Sequence, residues 1–400
     1  MQQRWKNLFD VSFDVLLYAL TSTYVEGEAE QNPKAKRGYS RDGRPDCKQV
    51  IVALVITPEG FPLAYEGMDG NPSDKTTLRG FLTPIEEFYG QARRVWLMDR
   101  GVPTEAVLKE MRAAERQMFY LVGTPKARVS KYEKQWLDLP WRKGRDSVEV
   151  KLFSQDGEMY VLAKSEGRRQ KEIAIRRKKL ARLLRKLRRM RKSLPKRDPL
   201  LLRIGAAKTE AGRAFGFVKI RVPGKDEEVT RTTFTFHTDR AKLKDAQRRD
   251  GHYLLRTNMV AEDPAVLWDR YMQLTHIEAA FKCLKSELGL RPIYHQLEHR
   301  VEAHILVAFL AYGLSVTLKH RLQFHAPGLT PRAVLEKLAT IQMLDVSFPT
   351  TDGRCLTMPR YTEPAAEVAL LLHQLQLTLP NQPSPRITPL SDERFPNMKM

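Results

Sequence analysis

Two carboxylates in this 400-residue sequence stand where a carboxylate can do chemistry. Asp99 ends the apolar run Val95-Trp96-Leu97-Met98 and is followed by Arg100-Gly101. A carboxylate at the C-terminal end of a strand in an α/β sheet lies on the rim where ligands usually bind. A turn-forming Asp that caps the next helix has the same local signature, and the pattern leaves both open. Glu278 lies in a stretch with apolar residues at helical spacing, at 267, 271, 274, 281, 284 and 288. At about 100° per residue, Tyr271, Leu274, Glu278 and Lys285 fall within about 60° of one another, on the apolar face. A charge beside an apolar stripe is expensive unless it is paired or binds a cation. A boundary ion pair to Lys282 or Lys285 and a metal ligand are the two alternatives.

The elements that must position these groups follow from the apolar runs. Val15 to Leu20 reads as a buried strand. Val50 to Thr57 and Phe61 to Tyr65 read as two more, joined as a hairpin by Pro58-Glu59-Gly60. Asp74 to Tyr89 reads as a helix and Arg94 to Asp99 as a fourth strand. Thr104 to Arg116 is an amphipathic helix opened by Pro103 and Thr104, and Phe119 to Val122 is a fifth strand. This order predicts an α/β fold with a mixed sheet and crossover helices.

Residues 124–263 break the rhythm. They hold short strand-like runs (Val148 to Phe153, Met159 to Ala163, Phe215 to Val222) and one intensely basic segment. From Arg168 to Arg197, sixteen of thirty residues are Lys or Arg, with Leu180, Leu183, Leu184, Leu187 and Met190 at helical spacing. Contact with a polyanion on one face and packing of the Leu stripe on a neighbouring helix are compatible. The block reads as a separate β-rich insertion. A long helix is predicted from Pro264 to Leu288 and another from Arg300 to Leu322. The expected organisation is 1–123 for the first part of the core, 124–263 for the insertion, 264–325 for the second part, 326–380 for a C-terminal helical region, and 381–400 for a disordered, Pro-rich tail.

Composition narrows the function. Sixty-eight Lys and Arg against 47 Asp and Glu give a net charge of +21, which favours a polyanionic partner. Ile305 to Leu318, the longest apolar stretch, falls short of the roughly 20 residues of a spanning helix, so no membrane partner is expected. The N-terminus carries no signal-peptide pattern. Cys47, Cys283 and Cys355 form no CxxC pair, which predicts neither a zinc site nor a disulfide framework and fits a cytoplasmic location. His295, His299 and His304 have no ligand-like set of partners.

At this point the residues carry a family resemblance. Tyr271, Glu278 and Lys285 match the pattern Y-x2-R-x3-E-x6-K, the signature of DDE-type insertion-sequence transposases of the IS-four-like group. The stretch Glu278 to Pro292 resembles that family's catalytic helix. Gly38-Tyr39-Ser40-Arg41-Asp42-Gly43-Arg44-Pro45-Asp46, Gly70-Asn71-Pro72-Ser73-Asp74 and Met98-Asp99-Arg100-Gly101 also fit. The likeness runs from about residue 14 to about 320. It implies an RNase H-like core in which the first and fourth strands lie side by side. It also implies three carboxylates holding two Mg²⁺ or Mn²⁺ ions that clamp the attacking and leaving oxygens of a phosphodiester. By this likeness Asp99 is the second Asp and Glu278 the Glu, both catalytic metal ligands, while Tyr271, Lys285 and Arg100 contact DNA. The partner implied is double-stranded DNA, both element ends and target, held by a homodimer in a bacterial, nucleoid-associated setting. The insertion typically adds DNA contacts in this family. Trp136 and Trp141 within it suit either core packing or the stacking of an extruded base.

The sequence departs from the family where it matters most. The first Asp belongs in a run resembling L-L-Y-D-x-T, and here that run is Leu17-Tyr18-Ala19-Leu20-Thr21, with Ala19 in the Asp position. Asp14 lies five residues away, roughly 17 Å along an extended strand and on the opposite face. Glu26 lies beyond the strand, so neither replaces the missing ligand. Leu274 stands where the motif has Arg, and no match to the family's N-terminal end-recognition domain precedes the first strand. The expectation is a transposase by descent and fold, defective in cleavage. A non-catalytic DNA-binding remnant or inhibitor of transposition is the alternative. A cellular RNase H-like nuclease is disfavoured by the basic insertion and the Y-E-K helix.

Overall fold

Val15 to Val25 combines β-branched and aromatic residues with no Gly or Pro, and forms the long first strand, β1. The computed structural model describes residues 2–71, 85, 94–99, 103–113, 118–124, 139–145, 148–155, 157–259 and 263–389. The expected helix from Asp74 to Tyr89 lies outside them, apart from the buried Ile85. The chain divides into two units, and β1 belongs to both: one unit is residues 1–13, 19–72 and 275–400, the other 14–18 and 73–274.

In the first unit, helix α1 (Gln2–Phe9) precedes β1, and β2 (Lys48–Ile56) and β3 (Pro62–Asp69) form the expected antiparallel hairpin. Its strands follow the order β3-β2-β1. Gly38 and Gly70, both inside the quoted motifs, are needed for close approach. A Cβ on Gly70 would lie 1.8 Å from the Gln49 carbonyl oxygen, and one on Gly38 would lie 2.2 Å from the Gly70 oxygen.

In the second unit the strand order is β1-β4-β5-β11-β8-β7-β6. Here β4 is Val95–Met98, β5 Phe119–Thr124, β6 Arg142–Arg145, β7 Val148–Gln155, β8 Glu158–Ser165 and β11 His252–Thr257. β1, β4 and β5 are parallel, and the strands beyond β5 are antiparallel. The runs 3-2-1 and 1-4-5, with β2 and β3 antiparallel to each other and β1, β4 and β5 parallel, make the core an RNase H-like mixed sheet. Helix α2 (Glu105–Arg112) starts at Thr104, whose hydroxyl accepts from the Val107 N–H at 3.3 Å, a cap worth about 1 kcal/mol.

The residues expected to fold apart as an insertion supply β6, β7, β8 and β11, which continue the sheet directly from β5. Between β8 and β11 rises a helical arm. It holds α3 (Glu166–Ser193), α4 (Arg197–Ala211), a short 3-10 turn, the β9–β10 pair (Val218–Arg221 and Thr235–Thr238) and α5 (Arg240–Arg248). The arm has its own core of Leu183, Leu187, Met190, Leu200, Ala207 and Phe234. Leu180 and Leu184 pack against that core, so the whole predicted Leu stripe faces inward.

The single helix expected over Pro264–Leu288 is two: α6 (Pro264–Met272) and α7 (Leu274–Ser286). Gln273 closes α6 with an i→i−3 bond to Arg270, which tightens the last turn and ends it. Next comes α8 (Glu298–His325). At 28 residues it is long and apolar enough to cross a membrane, which the shorter Ile305–Leu318 run did not suggest. Its buried residues Val301, Ile305, Ala308, Tyr312 and Val316 form a packed face, and Tyr312 donates to the Gly60 carbonyl at 2.9 Å. α9 (Pro331–Leu338) and α10 (Ala366–Gln374) complete a smaller cluster around Leu322, Val334 and Leu371. The 326–380 segment also holds β12 (Met343–Pro349) and β13 (Arg354–Tyr361) besides its helices. β14 (Arg386–Pro389) pairs with β13 inside the stretch that composition marks as a disordered tail.

Candidate active site

Asp99 follows directly on β4, whose four residues are all buried, and is itself exposed. The strand therefore ends by delivering a carboxylate to the surface, as the sequence predicts. In the parallel β1–β4 register Val15 faces Val95 and Tyr18 faces Met98. Ala19 is the next residue on β1, and Asp99 the next after β4. Ala19 is half-buried, with Leu20, Thr21, Ser22 and Thr23 buried beyond it. Neither proposed stand-in is positioned as a ligand: Asp14 precedes the strand, and Glu26 is held by the Arg44 guanidinium at 2.8 Å.

Glu278 lies on α7, but not on its apolar face. Leu274, Ile277, Ala280, Phe281 and Leu284 are the buried residues, while Glu278 is exposed. A single helix would join the stripes of α6 and α7 into one; with the two helices separate, the carboxylate turns outward. Among the described residues no hydrogen bond or ion pair holds it, so the anticipated link to Lys282 or Lys285 is not made. Tyr271, on α6, is half-buried in an aromatic group with Tyr253 and Trp268, its ring centroid 6.3 Å from each. Arg100 lies outside the described residues.

Lys285 is where the structure departs furthest from expectation. It is 9% exposed, and its Nζ donates to both oxygens of Asp42, at 2.8 and 3.1 Å. Burial pulls the Lys285 ammonium below its ordinary pKa, and the Asp42 carboxylate opposes that shift. Arg291 donates to the same carboxylate. The loop that carries Asp42 is pinned to β1, with Arg41 donating from its guanidinium to the Leu20 carbonyl and from its backbone N–H to Ser22 Oγ at 3.0 Å. Asp42 is the residue that local sequence reasoning missed. Its only signal was its place in the Gly38–Asp46 motif.

A second ionic cluster lies in the other unit. Glu158, 2% exposed, accepts from Arg112 Nη1 at 2.7 Å, from Arg256 Nε at 2.7 Å and from the Tyr120 hydroxyl. Arg256 also reaches Glu105 at 2.7 Å, so α2, β5, β8 and β11 share one network. Burial and the Glu158 charge both push the Tyr120 phenol upward. Trp141, outside any core, is 36% exposed with the Lys151 ammonium 4.7 Å from its ring centre, and Trp136 lies outside the described residues. His304 bonds the Gly289 carbonyl at 3.0 Å. The three cysteines are free.

The family profile for the transposase DDE domain matches residues 21–314. The chain belongs to the DDE transposase family. Comparison with curated proteins finds no match. Among solved structures, the piggyBac transposase synaptic complex with hairpin DNA is similar at a TM-score of 0.43 and 6% identity. The similarity covers 78% of this chain and 48% of that one, so the transposase chain spans about half the length of that protein.

DDE transposases generally use divalent metal ions. The described residues do not fit a three-carboxylate metal pair. Ala19 offers no oxygen, and among the described residues no three His, Cys, Asp or Glu side chains gather to hold a metal.

Proposed function

We propose that this chain is a DNA transposase of the IS-four-like group whose strand-cleavage centre is incomplete, because alanine stands where the first metal-ligating Asp belongs. The carrying observation is the β1–β4 register. It runs to Tyr18 opposite Met98, with Ala19 the next residue on β1 and the exposed Asp99 the next after β4. In this reading Asp99 and Glu278 are the two surviving carboxylates, both exposed, with no third among the described residues to complete the set. Tyr271 and Arg100 position DNA. Double-stranded DNA is the partner, a homodimer the assembly that joins two ends, and the cytoplasm beside the nucleoid the place.

Lys285 takes a different part from the one its motif position suggests. Neutralised by Asp42, it holds the Arg41–Arg44 loop against β1 and serves the fold of the site before it serves DNA. The absent carboxylate equally supports a second reading, a DNA-binding inhibitor that occupies element ends without cutting them. Incubation of supercoiled plasmid with the protein and Mg²⁺ tests the proposal. The wild-type chain should leave the plasmid intact and Ala19→Asp should nick it. Nicking by the wild type at the rate of the variant overturns the assignment.

A further inference from the structure

Helix α3 carries two opposed faces, and the covered one is the apolar one. With about 100° per residue, Leu180, Leu183, Leu187 and Met190 cluster on one side. The opposite arc of about 120° holds Arg177, Lys178, Arg185, Arg188, Arg189 and Lys192. All six are exposed, and among the described residues none makes an ion pair. Available acids are taken by other cations: Glu172 by Arg168, Glu166 by Arg169, Asp250 by Arg176, and Glu210 by Arg182 and Lys186. The row includes like charges three and four residues apart, such as Arg185 with Arg188 and Arg189, an arrangement that destabilises a bare helix. A sequence of this kind gains stability when a polyanion lies along it.

We infer that this row is a rail for the backbone of duplex DNA. From Arg177 to Lys192 the rise is about 22 Å, which spans about six phosphates of one strand at 3.4 Å per step. The arc holds no aromatic ring on which an unpaired base would stack, which separates it from single-strand grooves. Between Arg177 and Lys192 it also offers no Asn, Gln, Ser or Thr to read base edges, so binding along this stretch is independent of sequence. An anionic membrane would require an apolar face to enter the lipid, and that face is buried against α4 and Phe234. The inference rests on the DNA-binding reading above but not on catalysis.

The test is fluorescence anisotropy of a random-sequence 30-base-pair duplex with the full chain in metal-free buffer, across a series of salt concentrations. Arg185→Gln/Arg188→Gln/Arg189→Gln should lower the magnitude of the slope of log K against log salt by about 3, since each phosphate contact contributes about 0.9. Arg182→Gln/Lys186→Gln, which touches cations already paired, should change it by less than half as much. Circular dichroism checks that helicity is kept, and Arg188→Gln alone, worth about one unit of slope, serves where the triple variant loses it. An unchanged slope overturns the rail in favour of a solvated arm. Tighter binding of a single strand, or binding of phosphatidylserine vesicles with no effect of the triple variant on DNA, overturns it as well. Because no metal or cleavage enters the assay, failure here leaves the assignment of position 19 standing, and failure of that assignment leaves the rail standing.

Discussion

Around Glu158 and along α3, charge is handled in opposite ways within the same unit. The Glu158 carboxylate is buried and shared by two guanidiniums and a phenol. The six cations of α3 stand in solvent, and among the described residues none has a counter-charge. Removing charges from water costs several kcal/mol each, so a buried cluster persists only when it is fully paired. Exposed like charges cost little each, but they have no reason to align unless something outside supplies the opposite sign. The buried network is thus architecture, and the open row is a binding surface. Lys285 falls on the architectural side, although its motif position assigns it to DNA.

That contrast predicts a double dissociation. Glu158→Gln removes the buried carboxylate that Arg112 and Arg256 share, leaving Arg256 with Glu105, and should cost about 3–5 kcal/mol in urea unfolding, with the salt slope of DNA binding unchanged. Leu187→Ala opens a void in the arm's core and should cost about 2–4 kcal/mol, read as loss of protection in hydrogen exchange confined to the arm. Asp42→Asn leaves Lys285 without its counter-charge. The cost should be smaller, about 1–3 kcal/mol, that of a buried donor left without a full acceptor, and thermal unfolding reads it. The α3 glutamine variants should lie at the other pole, with stability within about 0.5 kcal/mol of wild type and the salt slope reduced. The smallest effect is acid-dependent. Arg44 holds the Asp46 carboxyl down at about 2, from an ordinary 3.8. A depressed carboxylate stabilises the fold above its unfolded pKa, so this contribution is present above about pH 4 and lost as pH falls through about 2. Carbon-13 titration of Asp46 should show that low midpoint, and Arg44→Gln should return it toward 3.8.

The five strands of the core were legible because each is a short apolar run bounded by turn residues, and Asp99 at the end of the fourth was legible with them. Ala19 was found by its place in a run of residue types. The break at Gln273 was not visible, since neither Gly nor Pro marks it, and with it went the correct face for Glu278. The partnership of Lys285 with Asp42 spans 243 residues, and no local period encodes it. Likewise β11 meets β5 across more than a hundred residues of intervening chain, so the insertion's strands read as a separate body when they continue the sheet. Periodicity reports which face of an element is buried, and pairing distant in sequence decides what it is buried against.

We propose that position 19 lacks one ligand of an otherwise recognisable transposase centre. Isothermal calorimetry of Mn²⁺ binding to the wild-type chain and to Ala19→Asp tests it most directly. Weak or no binding by the wild type is expected, with at least a tenfold gain in affinity for the variant, about 1.4 kcal/mol. Equal affinity of the two proteins would show that another residue completes the site and contradict the claim.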